Sequence, residues 1–157
     1  MKGAFLFIFF TLSTFANPAS EHAGAYVTFM YQVSQAENDL AWWAAQRTSD
    51  EKLSKFTTVI MSDSRYLINT MRALGNEIDQ KIEGLSSTER MWIDDIKNAS
   101  KEEFDQIYLE KLELFLSGVI TQLRVGYQTV SEPNVREWIQ KSTSIFEQHL
   151  MLVKFLK

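Results

Sequence analysis

The chain has no cysteine. That excludes disulfides, thiol chemistry and attachment of a lipid to a cysteine after a leader. Histidine is nearly absent, at 2 in 157 residues, so general bases and imidazole ligands are few. Glycine and proline number only 6 and 2. So few chain breakers suit long helices with short links and suit a β-sandwich poorly. There is no glycine-rich phosphate loop and no Ser–His–Asp elbow. Sixteen basic residues stand against 20 acidic ones, a net charge of −4, with no Lys/Arg stripe. That balance lacks the electrostatic footprint of a nucleic-acid binder or of a polybasic membrane patch.

What the chain does contain is apolar residues, 45% of the total, enough to bury a core in one domain. It opens MKGAFLFIFFTLSTFANPAS. Lys2 supplies a charged start, Ala4 to Leu12 an apolar run too short to span a bilayer, and Thr14-Phe15-Ala16 a tolerable cleavage site. We expect residues 1–16 to be a signal peptide and residues 17–157 to be the mature domain, starting at Asn17. An uncleaved anchor is the alternative. Removing Lys2 leaves 15 basic and 20 acidic residues, a net charge of −5. Export without cysteine suits a bacterial periplasm or cell envelope. No later apolar stretch is long enough to cross a membrane.

Four long helices and a short one are predicted. The first runs from about Glu21, with Ser20 as N-cap, to Arg47. Thr48-Ser49-Asp50-Glu51 reads as a capping box capped by Thr48. The second helix runs to Leu74, with Gly75 as a left-handed C′ residue. After a loop over 76–85, Ser86-Ser87-Thr88-Glu89 opens a short helix to about Asn98. Ser100-Lys101-Glu102-Glu103 opens the next long helix, to about Thr129. Ser131 caps the last, with Pro133 in its first turn.

Apolar stripes recur at alternating three- and four-residue spacing. They are Tyr26, Met30, Val33, Glu37, Leu40 and Ala44; Leu53, Phe56, Ile60, Asp63, Leu67, Met71 and Leu74; Phe104, Tyr108, Leu112, Phe115, Val119 and Leu123; and Val135, Trp138, Ser142, Ile145, His149, Leu152 and Leu156. Such stripes predict an all-α antiparallel four-helix bundle with a short extra helix between the second and third long ones.

Three stripes carry an ionisable residue near the middle: Glu37, Asp63 and His149. At about 1.5 Å of rise per residue, Glu37 and Asp63 lie roughly 16 and 22 Å from the turn joining their helices. They are therefore close enough in height to meet. Carboxylates sharing a histidine can bind a divalent metal or hold a raised-pKa acid. Equally, a seam carboxylate can be satisfied by a neighbouring Tyr, Trp or Ser, with Tyr26, Tyr31, Tyr66 and Tyr108 as hydroxyl donors. A di-iron bundle needs Glu-x-x-His on two helices, and that pattern occurs nowhere. Trp42, Trp43, Trp92 and Trp138 read as packing residues. Trp42 and Trp43 point about 100° apart, so one of them is a candidate for a partner surface. His22 is expected in solvent.

The run from Glu37 through AWWAAQRTSDEKLSKFTTVIMSDS, with Ala44-Ala45-Gln46 and Phe56, carries a resemblance. So do EEFDQIYL, through Phe104, Asp105 and Tyr108, and SIFEQHLMLVKFL, through Phe146, His149 and Leu150. In order, the three blocks resemble the bacterial, exported, ferritin-like bundles known as domain-of-unknown-function family 4142. The resemblance covers nearly all of the mature chain. The family pattern places histidines where this chain has Ser64 and Leu116, and a proline where it has Ser144. The resemblance thus implies a polar layer of Glu37, Asp63 and His149 stripped of two histidines, and more structural than chemical. The functional expectation is an exported, non-enzymatic binding or interaction protein without a cofactor, its partner an envelope protein or small ligand. The alternative is a metal-binding or redox-protective protein using those three residues.

Overall fold

A computed structural model describes residues 18–85 and 87–157. The expected signal segment 1–16, Asn17 and Ser86 lie outside these residues, and so do the side chains of His22 and Trp92. Five helices follow one another: α1 (Pro18–Arg47), α2 (Glu51–Glu77), α3 (Ser87–Lys97), α4 (Phe104–Thr129) and α5 (Pro133–Leu156). The chain is all-α, with α1 antiparallel to α2, α4 antiparallel to α5, and α3 between the second and third long helices.

Contacts at the two ends fix the connectivity. Arg47, closing α1, donates to the carbonyls of Lys97 and Ala99, the latter at 2.6 Å. Its guanidinium lies 4.2 Å from the Phe104 ring centroid. Thr48 Oγ1 donates to Asp105 Oδ2 at 2.8 Å. The start of α4 therefore sits beside the end of α1, and α3 with its flanking loops carries the chain back along the bundle. At the other end Gly126 of α4 meets Tyr26 of α1 so closely that a Cβ would fall 2.4 Å from the ring. The order is up, down, down, up, with one long crossover, as in ferritin-like bundles. Helices α2 and α4 lie on the diagonal, and α2–α5 is the loosest of the neighbouring pairs.

The α1 stripe and the apolar positions of the α2 stripe are placed as their spacing predicts, but at the polar position of α2 Ser64 is the buried residue and Asp63 lies partly exposed beside it. Met30, Leu40, Ala44, Ile60, Leu67 and Met71 are wholly buried. The other two stripes are also corrected. On α4, Leu116 is buried where Phe115 was expected, and Phe115 is only partly covered. On α5 the buried line is Val135, Ile139, Ser142, Phe146, His149 and Val153. Trp138, Ile145 and Leu156 flank it, and Leu152 is exposed.

The helix ends also differ from expectation. Helix α1 begins at Pro18, so Ser20 is inside it. Asp50, not Thr48, caps α2: its Oδ1 accepts from the Leu53 amide at 2.9 Å. Thr48 is engaged with Asp105, and Glu51 pairs forward with Lys55. Gly75 is not a left-handed terminator; α2 runs on to Glu77, and Asp79 takes the positive φ of 52°. Gly75 is glycine because the returning chain crosses it, where a Cβ would sit 2.7 Å from Ile82. Ser100 and Ser131 do not cap backbone amides; each donates to a glutamate side chain, Glu103 and Glu132. Among the described residues, no helix is long and apolar enough to cross a membrane.

Candidate functional site

Three helices each bring one ionisable residue to the same layer. Glu37 comes from α1, Asp63 from α2 and His149 from α5, each held in place by the apolar stripe above and below it. His149 Nδ1 lies 2.7 Å from Glu37 Oε1, and His149 Nε2 lies 3.0 Å from Asp63 Oδ2. Ser64, next to Asp63 on α2, donates its hydroxyl to the other Glu37 oxygen at 3.2 Å. Phe146 meets the imidazole edge-on, 6.3 Å between centroids. Glu37 and His149 are 0% and 1% exposed, whereas the Asp63 side chain keeps 39% of its surface. The layer thus runs from the core outward to water.

The geometry sets the protonation. Ionised carboxylates only accept, so a histidine flanked by two of them donates from both nitrogens. Burial pushes the His149 pKa down from its ordinary 6.5, but the hydrogen bonds and charges of Glu37 and Asp63 outweigh burial and leave it raised. The raised pKa favours an imidazolium held between the two carboxylates. Both Glu37 oxygens are satisfied, one by the ion pair and one by Ser64, which is what a fully buried carboxylate requires. Tyr108 is buried nearby. Burial first, and the Glu37 charge second, raise its phenol well above the usual 10.0, so it stays neutral. The hydroxyls of Tyr108 and Ser142 have no hydrogen-bond partner among the described residues.

The layer does not present ligands to a common point. The two ring nitrogens of an imidazole face away from each other, and here each is covered by a carboxylate. Glu37 and Asp63 consequently occupy opposite edges of the ring. Among the described residues, no group of three or more His, Asp or Glu side chains is arranged to hold a metal ion. As placed, the donor set fits a chain of charged hydrogen bonds and not a coordination sphere.

All three residues singled out from the sequence therefore meet. Of the two kinds of partner expected for Asp63, the shared histidine is the one found: His149 bonds it, and among the described residues none of the tyrosines does. Ser64 had no role assigned beyond standing where the family pattern has histidine, yet it completes the shell of Glu37. A polar residue directly after the seam aspartate was the available signal. Of the adjacent tryptophans, Trp42 is the exposed one, at 46%. Its ring packs edge-on against Trp43 at 5.1 Å, and Lys97 Nζ lies 5.1 Å from the Trp43 centroid.

An up-down-down-up arrangement with a polar layer at mid-height defines an all-α four-helix bundle. The chain belongs to the family described as Domain of unknown function (DUF4142), whose model matches residues 11–156. No curated protein and no solved structure matches it.

Proposed function

We propose that this is an exported, non-enzymatic binding or interaction protein of the bacterial periplasm or cell envelope. The observation that carries this is the closure of its ionic layer. Both nitrogens of His149 and both oxygens of Glu37 are taken up inside the bundle. A general acid or base needs a free site facing its substrate. What remains for recognition is the outside, where Trp42, Tyr66, Met151 and Phe155 are exposed. Export is supported by the charged start, short apolar run and small residues of the first 16 positions.

The test uses the full chain expressed in a bacterium. Cell fractionation with intact-mass measurement should give an envelope protein beginning at Asn17; retention of residues 1–16 in the cytoplasm contradicts export. A photo-crosslinking residue in place of Trp42, Tyr66 or Phe155 should give a defined adduct in the envelope from at least one position. No adduct from any of the three contradicts the binding role.

The second reading, a divalent metal held by Glu37, Asp63 and His149, is favoured by their meeting in one layer. It requires His149 to release one carboxylate so that a ring nitrogen faces the ion. Metal analysis of protein purified from its own compartment tests it. Stoichiometric metal, lost in both Glu37→Gln and His149→Gln, would establish this reading over the first.

A further inference from the structure

Between α2 and the start of α5 lies an open groove of about 630 Å³. That falls within the range of roughly 300–1,000 Å³ typical of small-molecule sites. It exists because α2 and α5 are the loosest neighbours and because two wide aromatic side chains meet there. The Tyr66 and Trp138 rings lie 6.0 Å apart, inclined by 58°, and Tyr66 is 55% exposed. Around them stand Asn69, Thr70 and Glu77 from α2 and Asn134 from α5. Among the described residues, none of these four side chains makes a hydrogen bond or ion pair. That contrasts with Glu137, also in the lining, which is paired to Lys141 at 2.5 Å.

The chemistry of the lining selects a ligand. Among the described residues no basic side chain lines the groove, so a phosphate or carboxylate finds no counter-charge in its lining. An organic cation would seek the face of an indole. Lys141 Nζ, 4.6 Å from the Trp138 centroid and paired with Glu137, already places a like charge beside that ring against an incoming cation. What stays unused is two amides and a hydroxyl, each able to donate and accept, one carboxylate acceptor, and aromatic faces. Aromatic faces carry partial negative charge and attract weakly positive C–H groups. A sugar ring offers C–H groups on its flat face and hydroxyls around its rim. An acetamido substituent adds an amide that matches Asn69 and Asn134.

We propose that the α2–α5 groove binds a neutral, acetamido-bearing oligosaccharide, stacked on Tyr66 and Trp138 and hydrogen-bonded by Asn69, Thr70, Asn134 and Glu77. This rests on the binding role proposed above and names the ligand class for it. The same chemistry is offered by a soluble oligosaccharide and by the glycan strands of a cell wall.

The test uses the purified full chain with tetra-N-acetylchitotetraose as probe, read by calorimetry and by saturation-transfer NMR. Maltotetraose serves as a sugar without acetamido groups and spermidine as a cation. We expect saturable binding of the chitotetraose, with weaker or no binding of the other two. Tyr66→Ala and Trp138→Ala should each weaken it by about tenfold or more, as loss of an aromatic anchor does. Asn134→Ala should weaken it several-fold, and Leu114→Ala, on the exposed face of α4, should leave it unchanged. Trp138 is partly buried, so the exposed Tyr66 keeps the test sound if the tryptophan variant folds poorly. Co-sedimentation with isolated cell-wall sacculi, lost in Tyr66→Ala, assigns the wall strand as source; binding of the tetrasaccharide alone assigns a soluble one. The proposal is overturned by absence of saturable binding, by equal affinity in Tyr66→Ala, or by tighter binding of spermidine. Should the sugar fail while cross-linking at Trp42 or Phe155 still gives an envelope adduct, the binding role stands and this ligand class falls.

Discussion

Helices α2 and α5 meet at two levels with opposite chemistry. At one, Asp63 faces His149, and with Glu37 and Ser64 they engage both ring nitrogens, both Glu37 oxygens and one Asp63 oxygen. At the other, Tyr66 packs against Trp138 in the lining of a groove, and Asn69, Thr70, Glu77 and Asn134 bond to none of their described neighbours. Both levels are rich in polar groups; what separates them is whether those groups are engaged. Buried charge must be paired to be tolerated, so the inner level becomes a structural pin. Exposed polar groups beside aromatic rings carry no such requirement and stay available to a ligand.

Breaking the inner level should therefore affect stability most. His149→Leu strands the Glu37 carboxylate in the core, and we expect a loss of about 3–5 kcal/mol in urea unfolding. Adding Glu37→Met to that variant should recover much of the loss, since an apolar replacement of a whole buried pair is often neutral. If the double variant were less stable than the single one, the layer would not be an ion pair in the sense described. Groove variants such as Tyr66→Ala, by contrast, should change stability by less than about 1 kcal/mol, as expected of an exposed side chain.

The pH dependence sharpens the same contrast. His149 is raised above its ordinary 6.5 in the folded protein. The folded state thus holds this proton more tightly than the unfolded one. The stabilisation is complete below about 6.5 and declines as pH climbs through the raised folded value. The urea midpoint of the wild type should fall across that window, and His149→Gln should flatten the profile. A wild-type midpoint that rises there would contradict the charged imidazole. Tyr66→Ala should keep the wild-type slope.

Much of the inner level was legible in the sequence. Glu37, Asp63 and His149 each interrupt an apolar stripe, and an ionisable residue at a core position must find a partner. The stripe on α5 was harder to place. Trp138, Ile145, Leu152 and Leu156 are as apolar as Ile139, Phe146 and Val153 and recur at the same period. Periodicity alone therefore allowed two faces, and contact with α4 and α2 selects between them. The cap of α2 was ambiguous for a similar reason, because Thr48, Ser49 and Asp50 are all good caps in succession; Thr48 is claimed by Asp105 from distant α4. Gly75 was misplaced because its role is a close approach by Ile82, which no local pattern announces. The groove was not visible at all: its two sides are far apart in the chain, and helix spacing does not record where helices part.

Smaller effects are expected at the edges of the inner level. Asp63 is partly exposed and bonds His149 through one oxygen. Asp63→Asn keeps an acceptor and should cost about 0.5–1 kcal/mol once solvent screening is allowed for. Asp63→Leu removes the acceptor and should cost more, about 1–3 kcal/mol, because Nε2–H loses its partner. Smallest of all is Tyr108→Phe. Its hydroxyl is buried without a partner among the described residues, so its removal should be neutral or slightly stabilising in thermal unfolding. A clear loss on Tyr108→Phe would place that hydroxyl in the ionic layer.

The most direct measurement is the protonation of His149 itself. Long-range proton–nitrogen correlation NMR on ¹⁵N-labelled protein at neutral pH distinguishes a ring nitrogen that carries a proton from one that does not. Assignment against His149→Gln separates His149 from His22. A closed ionic layer requires both Nδ1 and Nε2 of His149 to carry protons, with no change on adding chelator or zinc. A bare nitrogen at neutral pH, or one whose signal moves when zinc is added, would contradict it and reopen the layer as a site for chemistry.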